Sequence, residues 1–140
     1  MKFLVILMFM MPFALAGQTM KSYQQAMEKF KKFYNAGKGD SITAMFGQGW
    51  DEFKSARPIL WTNDETARAL NEYGTLQSFK FIGIDTSDPK KVYVFQTVFS
   101  KKGVNATSLT LDKNNQLSTF RLITTSDEIT HLLKNALNSR

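Results

Sequence analysis

The chain of 140 residues carries 18 Lys and Arg against 12 Asp and Glu, with one His and no Cys, for a net charge of +6. With no Cys, a disulfide framework, a thiolate metal site, a thiol nucleophile and a lipid-modified N-terminal Cys are all excluded. The length suits one domain, large enough to bury a core without covalent staples.

The opening "MKFLVILMFMMPFALAGQ" runs from Lys2 through the uncharged stretch Phe3 to Phe13 into Ala14-Leu15-Ala16, the small-x-small pattern that a signal peptidase cuts. A membrane span needs about 20 apolar residues, and this run gives way to Gly17-Gln18-Thr19 first. The expectation is a signal peptide at 1–16, cleaved after Ala16, and a single domain at 17–140. That makes the protein exported, periplasmic or extracellular, with no stable membrane anchor. Removing 1–16 takes away only Lys2 among the charged residues and leaves about +5, spread over Lys21, Lys29, Lys31, Lys32, Lys80, Lys90, Lys91, Lys101 and Lys102. Scattered charge of this kind solvates a surface and steers encounters with anionic partners without selecting among them. It lacks the clustered stripe of a nucleic-acid footprint, so no nucleic acid partner is expected.

From Lys21 to Ala36, Tyr23, Ala26, Met27, Phe30, Phe33 and Tyr34 recur at three- and four-residue spacing, which predicts an amphipathic helix ended by Gly37. Asp40 is the expected N-cap of a short second helix carrying Ile42, Met45 and Phe46. Trp50 and Phe53 open a third helical piece that Pro58 stops by Arg57. Thr62 and Glu65 have the spacing of a capping box, and Ala67, Leu70 and Tyr73 are expected to face inward from the helix that follows, closed by Gly74.

From Thr75 the period changes to two, giving strands near 76–84, 91–100, 104–111 and 117–124, separated by "DTSDP", "SKKG" and "DKNNQ". A four-stranded antiparallel meander is expected. Phe79, Phe81, Tyr93, Phe95, Phe99, Leu109, Leu111, Phe120 and Leu122 share one parity and form the buried face. The other face mixes Ser78, Lys80, Gln96, Ser108, Thr119 and Arg121 with Val92, Val94, Val98 and Ile123, which is more apolar than free solvation needs. Its cover is either a last helix, with Thr125 and Glu128 as a second capping box and Ile129, Leu132, Leu133, Ala136 and Leu137 as its stripe, or a second copy of the chain.

Helices followed by an aromatic-rich meander make an α+β arrangement: N-terminal helices packed on a curved four-stranded antiparallel sheet, with a C-terminal helix. The order resembles the cystatin-like cone of the nuclear transport factor 2-like superfamily. More narrowly, "FKKFYNAGKGDSITAMF", "NEYGTLQSFKFIG" and "TLDKNNQLSTFRL" are similar to the opening, the first long strand and the last hairpin of a group of small bacterial exported or hydrolase-associated domains of unknown function. The resemblance spans Tyr23 to about Leu122, and the helix from Ser126 lies outside it. Its motifs are structural, so it implies a fold more than an activity.

Enzymes of that superfamily place a carboxylate, His or Tyr inside the cone, where dry surroundings shift pKa values. Tyr93 is the one strand residue of that kind on the aromatic face here; Asp85, Asp88 and Asp112 are expected in turns, and His131 on the solvated side of the last helix. A phenol without an acid or base partner does not make a catalytic pair. "DKNNQ" lacks the Gly and distal Glu of a calcium loop, and no phosphate loop or nucleophile elbow is present. No metal or cofactor is expected.

Trp50 and Trp61 either plug the mouth of the core or line an opening with Phe81, Tyr93, Phe95 and Phe120 that admits an apolar small molecule. The leading expectation is a non-catalytic exported domain that binds a small apolar ligand, a peptide or a partner protein. The alternatives are a cone-type isomerase or dehydratase acting on a small organic substrate, with Tyr93 at its centre, and a homodimer formed through Val92, Val94, Val98 and Ile123.

Overall fold

The computed structural model describes residues 20–47, 61–87, 91–123 and 125–138. The expected signal segment, the helical piece opened by Trp50 and Phe53, and Asp88 lie outside those residues.

Residues 20–35 form helix α1, with Tyr23, Ala26, Met27, Phe30 and Tyr34 buried along one stripe. It ends in a Schellman motif: the Lys38 amide donates to Phe33 O at 2.9 Å and the Gly37 amide to Tyr34 O at 3.0 Å. Gly37 supplies the φ of +69° that this closure requires. Helix α2 follows at Gly39–Thr43, so its cap position is Lys38 and the expected N-cap, Asp40, falls inside the first turn. The Asp40 carboxylate instead accepts from Asn63 Nδ2 at 3.1 Å, while the Asp40 amide donates to Asn63 Oδ1 at 3.2 Å. Asp40 thus ties α2 to the next helix, α3, at Asn63–Tyr73.

Thr62 caps α3 as expected, its hydroxyl accepting from the Glu65 amide at 3.1 Å. The Glu65 carboxylate, however, is held by Arg68 at 3.0 Å. Leu70 and Tyr73 face the core as expected, but Ala67 is exposed and its place is taken by the buried Thr66, with Ala69 beside it. Thr66 tolerates this because its hydroxyl donates to Thr62 O at 2.8 Å, so the polar group it brings into the core is paired.

Strands β1 (Leu76–Asp85), β2 (Val92–Phe99), β3 (Gly103–Leu111) and β4 (Leu117–Ile123) pair antiparallel in the order β1-β2-β3-β4, the expected meander. Helix α4 occupies Ser126–Asn138. The fold is α+β, with α1 to α3 on one face of the sheet. The inner parity set is as expected, since Phe79, Phe81, Tyr93, Phe95, Phe99, Leu109, Leu111, Phe120 and Leu122 all belong to one hydrophobic core with α1. Among the described residues no helix is long and apolar enough to cross a membrane.

Side chains of α1 fasten it to the free edge of β1. Asn35 Nδ2 donates to Leu76 O at 2.9 Å and Asn35 Oδ1 accepts from the Leu76 amide at 2.8 Å, so this amide stands in for a one-residue partner strand. Such a substitute blunts an edge that would otherwise offer bare backbone groups. Beside it the buried Tyr34 hydroxyl donates to Gly74 O at 2.9 Å. Burial, with Tyr73 adding, pushes the Tyr34 phenol up to about 12 from an ordinary value of 10.

Because the folded-state value lies above the unfolded one, the Tyr34 contribution is full below pH 10 and drains away as pH rises toward 12. Tyr34→Phe is therefore expected to destabilise by about 1–2 kcal/mol at pH 8. The difference from the parent should shrink to nothing near pH 12, because only the parent loses the phenol's protonated-state preference. Urea titrations of both proteins from pH 8 to 12 check this; a pH-independent difference contradicts it.

Candidate functional site

The inner face carries the expected cone lining, and its side chains fill it. Phe30 of α1 lies 4.5 Å from Phe120 and 5.4 Å from Trp61 between ring centroids, and Trp61 stands edge-on to Tyr34 at 6.2 Å and to Phe120 at 6.0 Å. Phe81 sits 5.5 Å from Phe95 and 5.9 Å from Tyr93. Phe95 is fully buried. Offset and edge contacts at these separations are the favoured aromatic geometries, each adding roughly 0.5–1.5 kcal/mol to burial. Of the expected lining, Trp61, Phe81, Tyr93, Phe95 and Phe120 are together in this packed cluster, and Trp50 lies outside the described residues.

Tyr93 has an ionisable neighbour that strand parity could not reveal: Tyr23 of α1, stacked on it at 3.5 Å between centroids. The Tyr23 oxygen accepts from the Leu111 amide at 3.0 Å. Burial raises the Tyr23 phenol, the Leu111 amide partly opposes this, and Tyr93 adds to it. A phenol raised in this way keeps its proton at neutral pH and does not act as a base there. Deeper in, Thr97 and Thr107 are fully buried and share a hydroxyl hydrogen bond of 3.2 Å.

Helix α4 covers part of the outer face. Its Ala136 backbone lies so close to Gly83 of β1 that a Cβ there would run into the Ala136 carbonyl. Of the expected dimer residues, Val94 and Ile123 are buried in this one chain, and Val92 and Val98 are half-buried. The two residues of the expected second capping box pair through their side chains. Thr125 Oγ1 donates to Glu128 Oε2 at 3.1 Å, and Arg121 Nη2 of β4 holds Glu128 Oε1 at 2.7 Å. The ion pair is exposed, so it orients α4 more than it stabilises it.

Between α4 and the strands beneath it lies a cleft of about 340 Å³. Its floor is Val92, Ser108, Thr110, Thr119, Arg121 and Ile123; Glu128, His131, Leu132 and Asn135 of α4 form its wall. Asp85 and Ser87 close its end. Sequence parity places Asp85 in a turn, whereas the structure places it as the last residue of β1, only 9 % exposed. A register shift between Phe81 and Gly83 is the cause. Phe81 pairs with Phe95, Gly83 with Val94 and Asp85 with Val92, which moves Gly83 and Asp85 from the inner face to the outer one. A Gly inside a strand pattern signals a bulge or a close backbone approach, and Gly83 is both. His131 is exposed, as expected of the polar side of its helix, yet it stands on the cleft wall. Asp112, in its expected turn, accepts from the amides of Asn114 at 2.8 Å and Gln116 at 3.0 Å.

The fold and the cleft define an α+β domain with a filled inner face and an open outer one. Comparison with family models, curated proteins and solved structures finds no match.

Gly83→Val is expected to lift α4, since the added carbons meet Ala136 backbone, at a cost of about 1–3 kcal/mol. Hydrogen exchange should quicken at Val94, Ala106 and Ile123 while Phe30 and Leu109 stay protected. Unchanged exchange at Val94 would show that α4 does not depend on this contact.

Proposed function

We propose that the protein is a non-catalytic binding module, exported by residues 1–16 and released, that recognises its partner through the outer-face cleft. The observation that carries this reading is the contrast between the two faces. The inner face is occupied by Phe30, Trp61, Phe81, Phe95 and Phe120, while the outer cleft brings hydroxyls, an amide, an imidazole and three charged groups to one opening. At about 340 Å³ the cleft lies at the small end of ligand sites. Sites of that kind combine an apolar floor with a few convergent polar groups, here Val92, Ile123 and Leu132 beside Ser108, Thr110 and Asp85.

The isomerase or dehydratase reading has less support, because the ionisable neighbour of Tyr93 is a second phenol whose proton burial retains. The homodimer reading loses its surface where α4 buries Val94 and Ile123. Kinship with the nuclear transport factor 2-like superfamily remains a proposal resting on element order.

Chemical-shift mapping with a library of small polar and apolar fragments tests the reading. The expected shifts gather at Val92, Ser108, Thr110 and His131. Shifts gathered at Trp61, Phe81 and Phe120, or a turnover abolished by Tyr93→Phe with the fold intact, overturn it. Secretion from a Gram-negative host should yield a chain beginning at Gly17; one that still begins at Met1 removes the export component.

A further inference from the structure

Asp85 is a carboxylate in an unusual position for so basic a chain. Its residue is 9 % exposed, at the closed end of the outer cleft. Oδ1 accepts from the Ser87 amide at 2.9 Å and from the Ser87 hydroxyl at 2.6 Å. Among the described residues Oδ2 has no hydrogen-bond or ion-pair partner. A buried carboxylate oxygen without a partner is an acceptor open to a donor from outside the chain.

The cleft's own cations do not pair with that oxygen. Arg121 is committed to Glu128 at 2.7 Å and stands on β4, three strand spacings from β1, or roughly 14 Å between backbones. At that distance salt screens the attraction. The contact His131 makes is with Asn135 on its own helix, at 3.4 Å. Among the residues that line the cleft, Arg121 and Glu128 cancel, and Asp85 leaves the lining with a net negative charge.

We propose that the cleft binds a small organic ammonium ion, its head on Asp85 Oδ2 and its hydrocarbon body against Val92 and Leu132. An ammonium group brings three donors and no acceptor. Asp85 Oδ2 offers it a charged acceptor, and the Ser87 hydroxyl oxygen beside it can accept as well. An inorganic cation fits less well: among the described residues no three ligating side chains of His, Cys, Asp or Glu gather, and hard cations need six or more oxygens. An anion would meet the carboxylates of Asp85 and Glu128.

This inference rests on the reading of the cleft as the binding surface, and its test separates the two. Cyclohexylamine, its isostere cyclohexanol and the anion cyclohexanecarboxylate are titrated into the full chain and followed by amide shifts. The amine is expected to shift Asp85, Ser87, Val92 and Ser108 saturably, at least tenfold more tightly than the alcohol. Asp85→Asn keeps the Oδ1 acceptor for Ser87 and should weaken the amine at least tenfold, whereas Arg68→Gln, on the exposed side of α3 and outside the cleft, should not. Equal affinity for the alcohol, or indifference to Asp85→Asn, overturns the ammonium assignment and leaves the cleft as a binding surface. Carboxylate binding lost in Arg121→Gln, displacement of the amine by millimolar calcium chloride, or a lysine peptide binding where the amine does not would each overturn it in favour of another occupant. No shift from any of the three also overturns it, and fragment mapping elsewhere on the cleft then stands or falls by itself.

Discussion

The structure depends on the closure of α1 over the inner face of the sheet. Phe30 and Tyr34 are fully buried there, and each buried aromatic side chain contributes about 1.5–3 kcal/mol by its removal from water. Two polar fastenings fix where that closure occurs: Tyr34 on Gly74 O and Asn35 on both backbone groups of Leu76. Apolar contact alone would let the helix slide. The hydrogen bonds set its register against β1, and so decide which rings fill the space under the sheet.

With one face filled in this way, the proposed binding surface is the cleft on the other face. There α4 covers the sheet only in part. It approaches β1 at Gly83 and is tethered to β4 by Arg121 and Glu128, and the cleft lies along the strands beneath it. The same bulge that lets α4 approach turns Asp85 to the outer face. One irregularity in β1 therefore creates both the contact that holds the helix and the carboxylate at the end of the cleft.

Much of this was legible in the sequence. Alternation from Thr75 onward marked four strands and their inner face, because a period of two survives wherever one side is buried. The α1 stripe was equally plain. What escaped were positions where a tertiary contact outweighed a local rule. Asp40 has the chemistry of a cap, but the Schellman turn at Gly37 begins α2 two residues early and frees Asp40 for Asn63. Thr66 is polar by composition, yet a bond to Thr62 O lets it replace Ala67 at the core. Asp85 was hidden by the bulge, for which Gly83 was the available signal. The choice between α4 and a second copy as cover could not be made from periodicity, since both would bury the same valines.

The central claim is that the inner face is filled by the protein's own side chains. Dissolved xenon enters apolar voids that water leaves empty, so xenon-dependent shifts of aromatic and methyl resonances test it most directly. The account predicts no saturable shift at Phe30, Phe81, Tyr93, Phe95 or Phe120. A saturable xenon response from those rings would reveal a hollow beneath the sheet and contradict it.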